Sequence, residues 1–262
     1  MNLQIGVLGA SGRMGRTVCE AVIDDADLDL VAAVDPLNVG LDLRQVTGLP
    51  SDLRVSAAPS KPQHDGVEVF VDFTVRDAAM NNLRWCADNG VHAVVGTTGF
   101  SDEDLRELRE IFVNSNCLVA ANFAIGAVLM MRFAELAAPW FDSAEIIEMH
   151  HENKVDAPSG TAMATLARMR EASDEWLEDP TRKQLLEGSR GGIDSSGIAV
   201  HSVRMRGLVA HQEVLLGTTG QSLTIRHDSY DRCSFMPGVL LAVKRIATLP
   251  GLTIGLEAAL GI

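Results

Sequence analysis

The sequence predicts an α/β protein in two parts: a mainly parallel sheet flanked by helices, then a second α+β domain with a mixed or antiparallel sheet. Three observations predict it. Strand-like and helix-like segments alternate from Leu3 to Ala121, and the pattern changes after Asn122. Beyond a polar stretch at Pro180–Gly197, three strand-like runs follow one another with no helix between them.

Leu3–Leu8 is a short β-rich run, followed by a glycine-punctuated turn and a helical pattern through Val18, Ala21 and Val22. Leu28–Val34 reads as a second buried strand and Val67–Phe73 as a third. A helical stretch from about Asp77 to Asn89 precedes the strand Val91–Val95. Ser101 and Asp104 have capping-box spacing and open a charged helix carrying Leu105, Leu108 and Ile111. Leu118–Ala121 is one more strand. Next come a long apolar helix, Gly126–Trp140, and a strand, Glu145–Met149, that delivers His150. Ser159 and Gly160 start another helix, and Pro180–Gly197 reads as a long loop. Ala199–Met205, His211–Leu216 and Ser222–Arg226 are the successive strands, and Phe235–Leu249 returns to a helical pattern. The best boundary lies near Asn122, which gives a first domain of 1–122 and a second of 123–232.

Composition narrows the function. The 262 residues are 47% hydrophobic and 22% charged, an ordinary globular balance with a sizeable core. The formal net charge of -13 disfavours phosphate backbones and anionic lipid, so neither nucleic acid nor a membrane surface is an expected partner. Any anion site must be built locally. Cys19, Cys86, Cys117 and Cys233 are far apart, without zinc-ligand spacing, and read as reduced thiols of a cytoplasmic protein. Met1–Leu8 lacks the features of a secretory signal, and no apolar stretch nears the roughly 20 residues of a membrane helix.

Gly9-Ala10-Ser11-Gly12-Arg13-Met14-Gly15 lies between the first strand and the first helix. Glycines at this spacing allow a tight turn, close approach of a pyrophosphate and close helix–sheet packing, and the helix N-terminus offers N–H groups to phosphate. The spacing is G-x-x-G-x-x-G, a weak signal alone, but the strand before and helix after supply the required context. Asp35 ends the second strand, where an acid accepts hydrogen bonds from an adenosine ribose, although Asp35-Pro36 also suits a plain turn. Asp72-Phe73-Thr74, Gly96-Thr97-Thr98 and Ala121-Asn122-Phe123 end other strands of the same sheet and complete a Rossmann-like cofactor rim. NADH and NADPH are both candidate cofactors. The Asp35 carboxylate favours NADH, and Arg13 and Arg16 soften that preference.

The most informative stretch runs from Glu148 to Ala162, EMHHENKVDAPSGTA. Histidine exchanges protons near neutral pH, lysine supplies positive charge, and Ser159 and Thr161 with the first-turn N–H groups form a carboxylate site. One segment can thus bind a dianion and protonate it. His150 and His151 as metal ligands fit less well, because adjacent strand side chains diverge and no matched acid or cysteine spacing accompanies them. Ser159 lacks the G-x-S-x-G elbow of a nucleophile.

These motifs resemble the dihydrodipicolinate reductase family. GVLGASGRMG around Gly9–Gly15, VVGTTGF at Val94–Phe100, NFAIGAVL at Asn122–Leu129 and HHENKVDAPSGTA from His150 carry the resemblance, in order and over essentially the whole chain. Asn153 departs from it, since the family often has a histidine there. The resemblance implies hydride transfer from a nicotinamide to a cyclic unsaturated imine dicarboxylate in the diaminopimelate route to lysine. It implies His150 as proton donor and Lys154 as the second proton-transfer group. His151, Ser159, Gly160, Thr161 and Arg232 would contact substrate, and Gly9–Met14, Asp35, Gly96–Thr98 and Ala121–Phe123 the cofactor. It further implies a homotetramer contacting through the second domain's sheet, a C-terminal segment 233–262 returning to the first domain, and closure of the two domains on the reactants. A related reductase or amino-acid dehydrogenase with another substrate, and a non-catalytic dinucleotide sensor, are the competing readings.

Overall fold

The computed structural model describes residues 2–61 and 63–262. The first stretch contains β1 (Leu3–Leu8), α1 (Arg13–Asp24), β2 (Leu28–Val34), α2 (Leu43–Thr47), β3 (Val69–Asp72), α3 (Arg76–Asn89), β4 (His92–Val95), α4 (Asp102–Ile111) and β5 (Cys117–Val119). Then come α5 (Ile125–Ala137), β6 (Ser143–His150), α6 (Gly160–Ala172), β7 (Gly192–Ile193), β8 (Ala199–Arg204), β9 (Ala210–Thr218) and β10 (Gln221–Ser229). The chain ends with α7 (Met236–Arg245), β11 (Leu252–Ile254) and α8 (Glu257–Leu260). Two compact units result: Met1–Phe123 with Phe235–Ile262, and Ala124–Ser234.

In the first unit the strands pair in the order β11-β5-β4-β3-β1-β2, all parallel. Leu8, Phe70, Leu83, Val95, Leu108 and Phe112 form part of one buried core. Strands covered on both faces carry unbroken apolar runs, as Val69-Phe70-Val71 does. The strand order reverses beside β1, which has β2 on one side and β3 on the other. In open α/β sheets this switch point is where a crevice forms at the carboxyl ends.

The second unit is a mixed sheet, as expected, in the order β10-β9-β6-β8-β7. β6 runs parallel to β8, and the remaining pairs are antiparallel. Ile146, Leu166, Met169, Val200, Val214 and Leu216 share its buried core.

Several elements differ from the sequence reading. The helix expected over Gly126–Trp140 leaves α geometry after Ala137 and finishes as a 3₁₀ turn containing Pro139, which has no N–H to continue the ladder. The helical pattern over Phe235–Leu249 likewise tightens to 3₁₀ at Ile246–Thr248, ahead of Pro250. The Pro180–Gly197 loop contains β7, which pairs with β8. β11 was not expected; it joins the sheet beside β5, with Leu252 opposite Cys117. The capping box at Ser101 and Asp104 is present, each side chain bonded to the other's backbone. Among the described residues no helix is long and apolar enough to cross a membrane.

Candidate functional site

In the first unit the crevice is built by strand ends. β1 stops at Leu8 because Gly9 adopts a positive φ of 79°, a region that costs a side-chain-bearing residue energy. The N–H groups of Gly9 and Ala10 both donate to the Val34 carbonyl at 2.8 and 3.1 Å, pinning the turn to the end of β2. Gly12 is the N-cap of α1 and provides no side-chain cap. The first-turn N–H groups of α1 are therefore not occupied by a capping side chain. The Asp35 carboxylate accepts from Ser11 N–H at 3.2 Å and from Leu37 N–H at 3.0 Å, which ties it to the glycine turn.

The remaining rim positions differ in burial and bonding. Asp72 was expected to touch cofactor, but its carboxylate is fully buried and occupied. One oxygen accepts from Thr74 N–H and Oγ1 and from Thr97 Oγ1, and the other from Asn82. Asp72 thus holds the ends of β3 and β4 in place. The Phe73 ring lies over Gly96, where an added Cβ would sit 2.0 Å from Cε1, and a tilted Phe73–Phe123 ring pair joins two more rim positions. Thr98 and Ala121 are exposed, while Thr74, Gly96 and Asn122 are half-buried.

These residues fit a dinucleotide. Ser11 Oγ is buried inside the glycine turn and has no hydrogen-bond partner among the described residues. A buried hydroxyl in that state calls for an acceptor, which a phosphate oxygen supplies. Asp35 retains lone pairs for ribose hydroxyls, since each oxygen has one backbone donor. Asp35→Ala is therefore expected to raise the Kd for NADH by about tenfold and that for NADPH by less. Fluorescence titration of both cofactors checks this, and equal losses would refute the ribose role.

In the second unit β6 carries Glu148 and His150 two residues apart, hence on one face of the strand. His150 Nδ1 lies 2.6 Å from Glu148 Oε2. Arg204 of β8 donates to both Glu148 oxygens at 2.8 Å. Ser159 N–H donates to Glu148 Oε1 at 3.1 Å, and Ser159 Oγ caps α6 by accepting from Ala162 N–H at 3.2 Å. Gly160 opens the helix on the surface, with nothing near the place of a Cβ, and Thr161 follows half-buried.

The rest of the segment forms a turn. His151 is exposed, and its Nδ1 accepts from Asn153 N–H at 3.2 Å. Lys154 Nζ donates to both Asp156 oxygens at 2.8 Å. Arg232 is exposed in the 3₁₀ turn Arg232–Phe235, and among the described residues no hydrogen bond joins it to the His150 cluster.

The electrostatics are specific. Burial lowers the pKa of His150; the hydrogen bond and charge of Glu148 oppose this, and Lys154 and Arg204 add to the lowering. Burial acts to raise Glu148, but hydrogen bonds from Arg204, Ser202 and His150 outweigh it and the carboxylate stands below its usual range. The hydrogen bond from Lys154 leads those that keep Asp156 ionised. Among the described residues no group of three or more His, Cys, Asp or Glu is placed to hold a metal ion. Cys19, Cys86 and Cys117 are buried and free, and burial pushes the Cys19 thiol up to about 12.

Glu148 and Arg204 have no assigned role in the sequence reading. An acid two residues before a histidine on a strand is a legible signal, since both side chains must share a face. Arg204 has no such local signal. It reaches the site through the parallel β6–β8 register, which sets it opposite His150.

This chain is similar to known proteins along nearly its whole length. The family description "Dihydrodipicolinate reductase, N-terminus" matches residues 3–123, and "Dihydrodipicolinate reductase, C-terminus" matches 126–260. A protein of Cutibacterium acnes named 4-hydroxy-tetrahydrodipicolinate reductase is 48% identical, with 99% of each chain covered. A protein of the same name from Corynebacterium urealyticum is 50% identical over 99% of each. A solved structure described as dipicolinate-bound dihydrodipicolinate reductase, from Paenisporosarcina sp. TG-14, superimposes with a TM-score of 0.86 at 40% identity, covering 98% of this chain and 99% of that one.

Proposed function

The chain belongs to the dihydrodipicolinate reductase family, and from that membership we propose that it is a 4-hydroxy-tetrahydrodipicolinate reductase. It uses NADH or NADPH to reduce a cyclic unsaturated imine dicarboxylate to tetrahydrodipicolinate, a step toward diaminopimelate and lysine. The observation that carries the reading is the coincidence of a full-length match with an intact His150–Thr161 segment, in which histidine, lysine and a capped helix start lie within twelve positions.

In this reading the nicotinamide, when bound, supplies the hydride, and the protein's own groups bind, orient and protonate. Gly9–Met14 and the start of α1 hold the pyrophosphate, and Asp35 accepts from the ribose. Phe73, Thr74, Gly96, Thr97, Thr98, Ala121, Asn122 and Phe123 bound the rest of the dinucleotide. His150 delivers a proton from Nε2, the ring nitrogen opposite the one engaged by Glu148. Lys154 is the second proton-transfer group, and Asp156 holds its ammonium until a substrate carboxylate competes for it. His151, Gly160, Thr161 and Arg232 receive substrate carboxylates. Ser159 contributes through its hydroxyl proton, because its oxygen already caps the helix. Fixed donors orient the ring and withdraw charge as it is reduced.

The protein is cytoplasmic in this reading, in keeping with its free thiols. It assembles as a homotetramer through the second unit's sheet, whose outer strand β10 is exposed along its first four residues. The test is consumption of each reduced nicotinamide with the imine generated in place from pyruvate and aspartate semialdehyde. Rapid oxidation with the imine, and little with other oxo and imino acids, is expected. Faster turnover of another substrate would give the chain to a different reductase.

A further inference from the structure

One buried group lies outside that account. Glu148 is fully inaccessible, yet its two carboxylate oxygens take hydrogen bonds from three separate parts of the second unit. Oε2 meets His150 Nδ1 at 2.6 Å and Arg204 Nη1 at 2.8 Å. Oε1 meets Arg204 Nη2 at 2.8 Å and the backbone N–H of Ser159 at 3.1 Å. Burying a carboxylate is costly unless every lone pair is satisfied, and here one group supplies the charge for donors from His150, Ser159, Ser202 and Arg204.

We propose that Glu148 is the positioning residue of the reductase site: it fixes the Nδ1–H tautomer of His150 and, through Ser159, holds the start of α6 at a set distance from that imidazole. The inference rests on the function proposed above. An ionised carboxylate accepts only, so the nitrogen facing Glu148 carries the hydrogen and Nε2 is left to exchange protons with substrate. Ser159 is the N-cap of α6, so an anchor on its N–H also fixes the N–H groups of the first helical turn. Proton donor and carboxylate cradle are thereby tied to one rigid point on a central strand, the kind of support that keeps reacting groups aligned.

The charges around the imidazole give the idea a sign. On its own strand His150 faces Glu148, the following turn brings Lys154 paired with Asp156, β8 brings Arg204, and β9 presents the uncharged Ala210 opposite it. The carboxylate of Glu148 favours the imidazolium, and the cations of Arg204 and Lys154 disfavour it. Glu148→Gln keeps an acceptor but removes the negative charge, so it lowers the pKa of His150. Arg204→Gln removes a cation and raises it. Loss of packing alone would not move the two variants in opposite directions.

NMR titration of the His150 ring reads this without turnover. The wild type is expected to show the Nδ1–H tautomer above its pKa, with the pKa moving down in Glu148→Gln and up in Arg204→Gln. The amide chemical-shift dispersion of residues in the second unit reports that each variant is folded there. With the imine, Glu148→Gln is expected to lose about ten- to a hundredfold in kcat and to shift the basic limb of its pH profile to lower pH. An Nε2–H tautomer in the wild type overturns the proposal even where a variant fails to fold, and so does a His150 pKa that moves the same way in both variants. A wild-type protein that shows the expected tautomer and shifts but does not reduce the imine would instead refute the assigned function.

Discussion

His150→Ala is expected to lower kcat for the imine by about 10²- to 10⁴-fold while leaving the Kd for NADH within about twofold, the range in which a positioned acid contributes. The imidazole is half-buried on the second unit's sheet, and the dinucleotide residues belong to the first. His150→Gln separates proton delivery from packing. It fills similar space, but its amide cannot carry a proton through the reaction, so its kcat should be as low as that of the alanine variant. The pH dependence adds a sign. The acid form is imidazolium, and its pKa in the free protein lies below the ordinary histidine value, mainly through burial. The basic limb of kcat/KM, which reports the free protein, should therefore fall as pH rises through that lowered pKa. The limb of kcat should lie at higher pH, because a bound dicarboxylate favours the imidazolium. A glutamine variant with wild-type kcat would take the proton donor's role away from His150.

The parts of this protein that were legible in sequence are those whose causes are local. Leu3–Leu8 and Leu28–Val34 are apolar runs ended by Gly9 and by Asp35-Pro36, and the structure has strands with those bounds. The box at Ser101 and Asp104 needs only four residues. By contrast, β11 is three residues long, too short for periodicity, and forms because β5 offers it a parallel edge. α2 is five residues opened by its own box of Asp42 and Gln45, again too short for periodicity. The site divides in the same way. His150, Lys154 and the Ser159 cap lie in one run of sequence. Arg204 is fifty-six positions from Glu148 and meets it only across the sheet. Asp72 is the reverse case: its place at a strand end suggested cofactor contact, and only the positions of Thr97 and Asn82 reveal that its oxygens are already occupied.

Gly15→Ala is expected to weaken NADH binding by more than about a hundredfold, because the new atom would collide with backbone and not with a side chain that can turn away. A Cβ at Gly15 would sit 2.0 Å from the Gly9 carbonyl oxygen, 2.7 Å from its carbon and 2.9 Å from Ala10 Cα. Relief requires α1 to move off the turn or the turn to open. Gly9 cannot move freely, since its N–H is bonded to Val34 and its carbonyl accepts from Gly12 N–H at 2.9 Å. Either movement spoils the placement of Ser11 Oγ, the Asp35 contact to Ser11 N–H, and the N–H groups of α1. Overpacking of this kind costs roughly 1–3 kcal/mol in stability, so the variant should fold with a lowered Tm. Gly12→Ala is the internal comparison for the fold: its Cβ would approach the Gly9 oxygen only to 3.2 Å on an exposed residue, so its Tm should stay near that of the wild type. Calorimetric or fluorescence titration of NADH into both variants, with circular dichroism for the fold, checks the pair. If Gly15→Ala bound NADH as tightly as the wild type, the phosphate site would have to lie elsewhere on the first unit, and the roles given to Ser11 and Asp35 would fall with it.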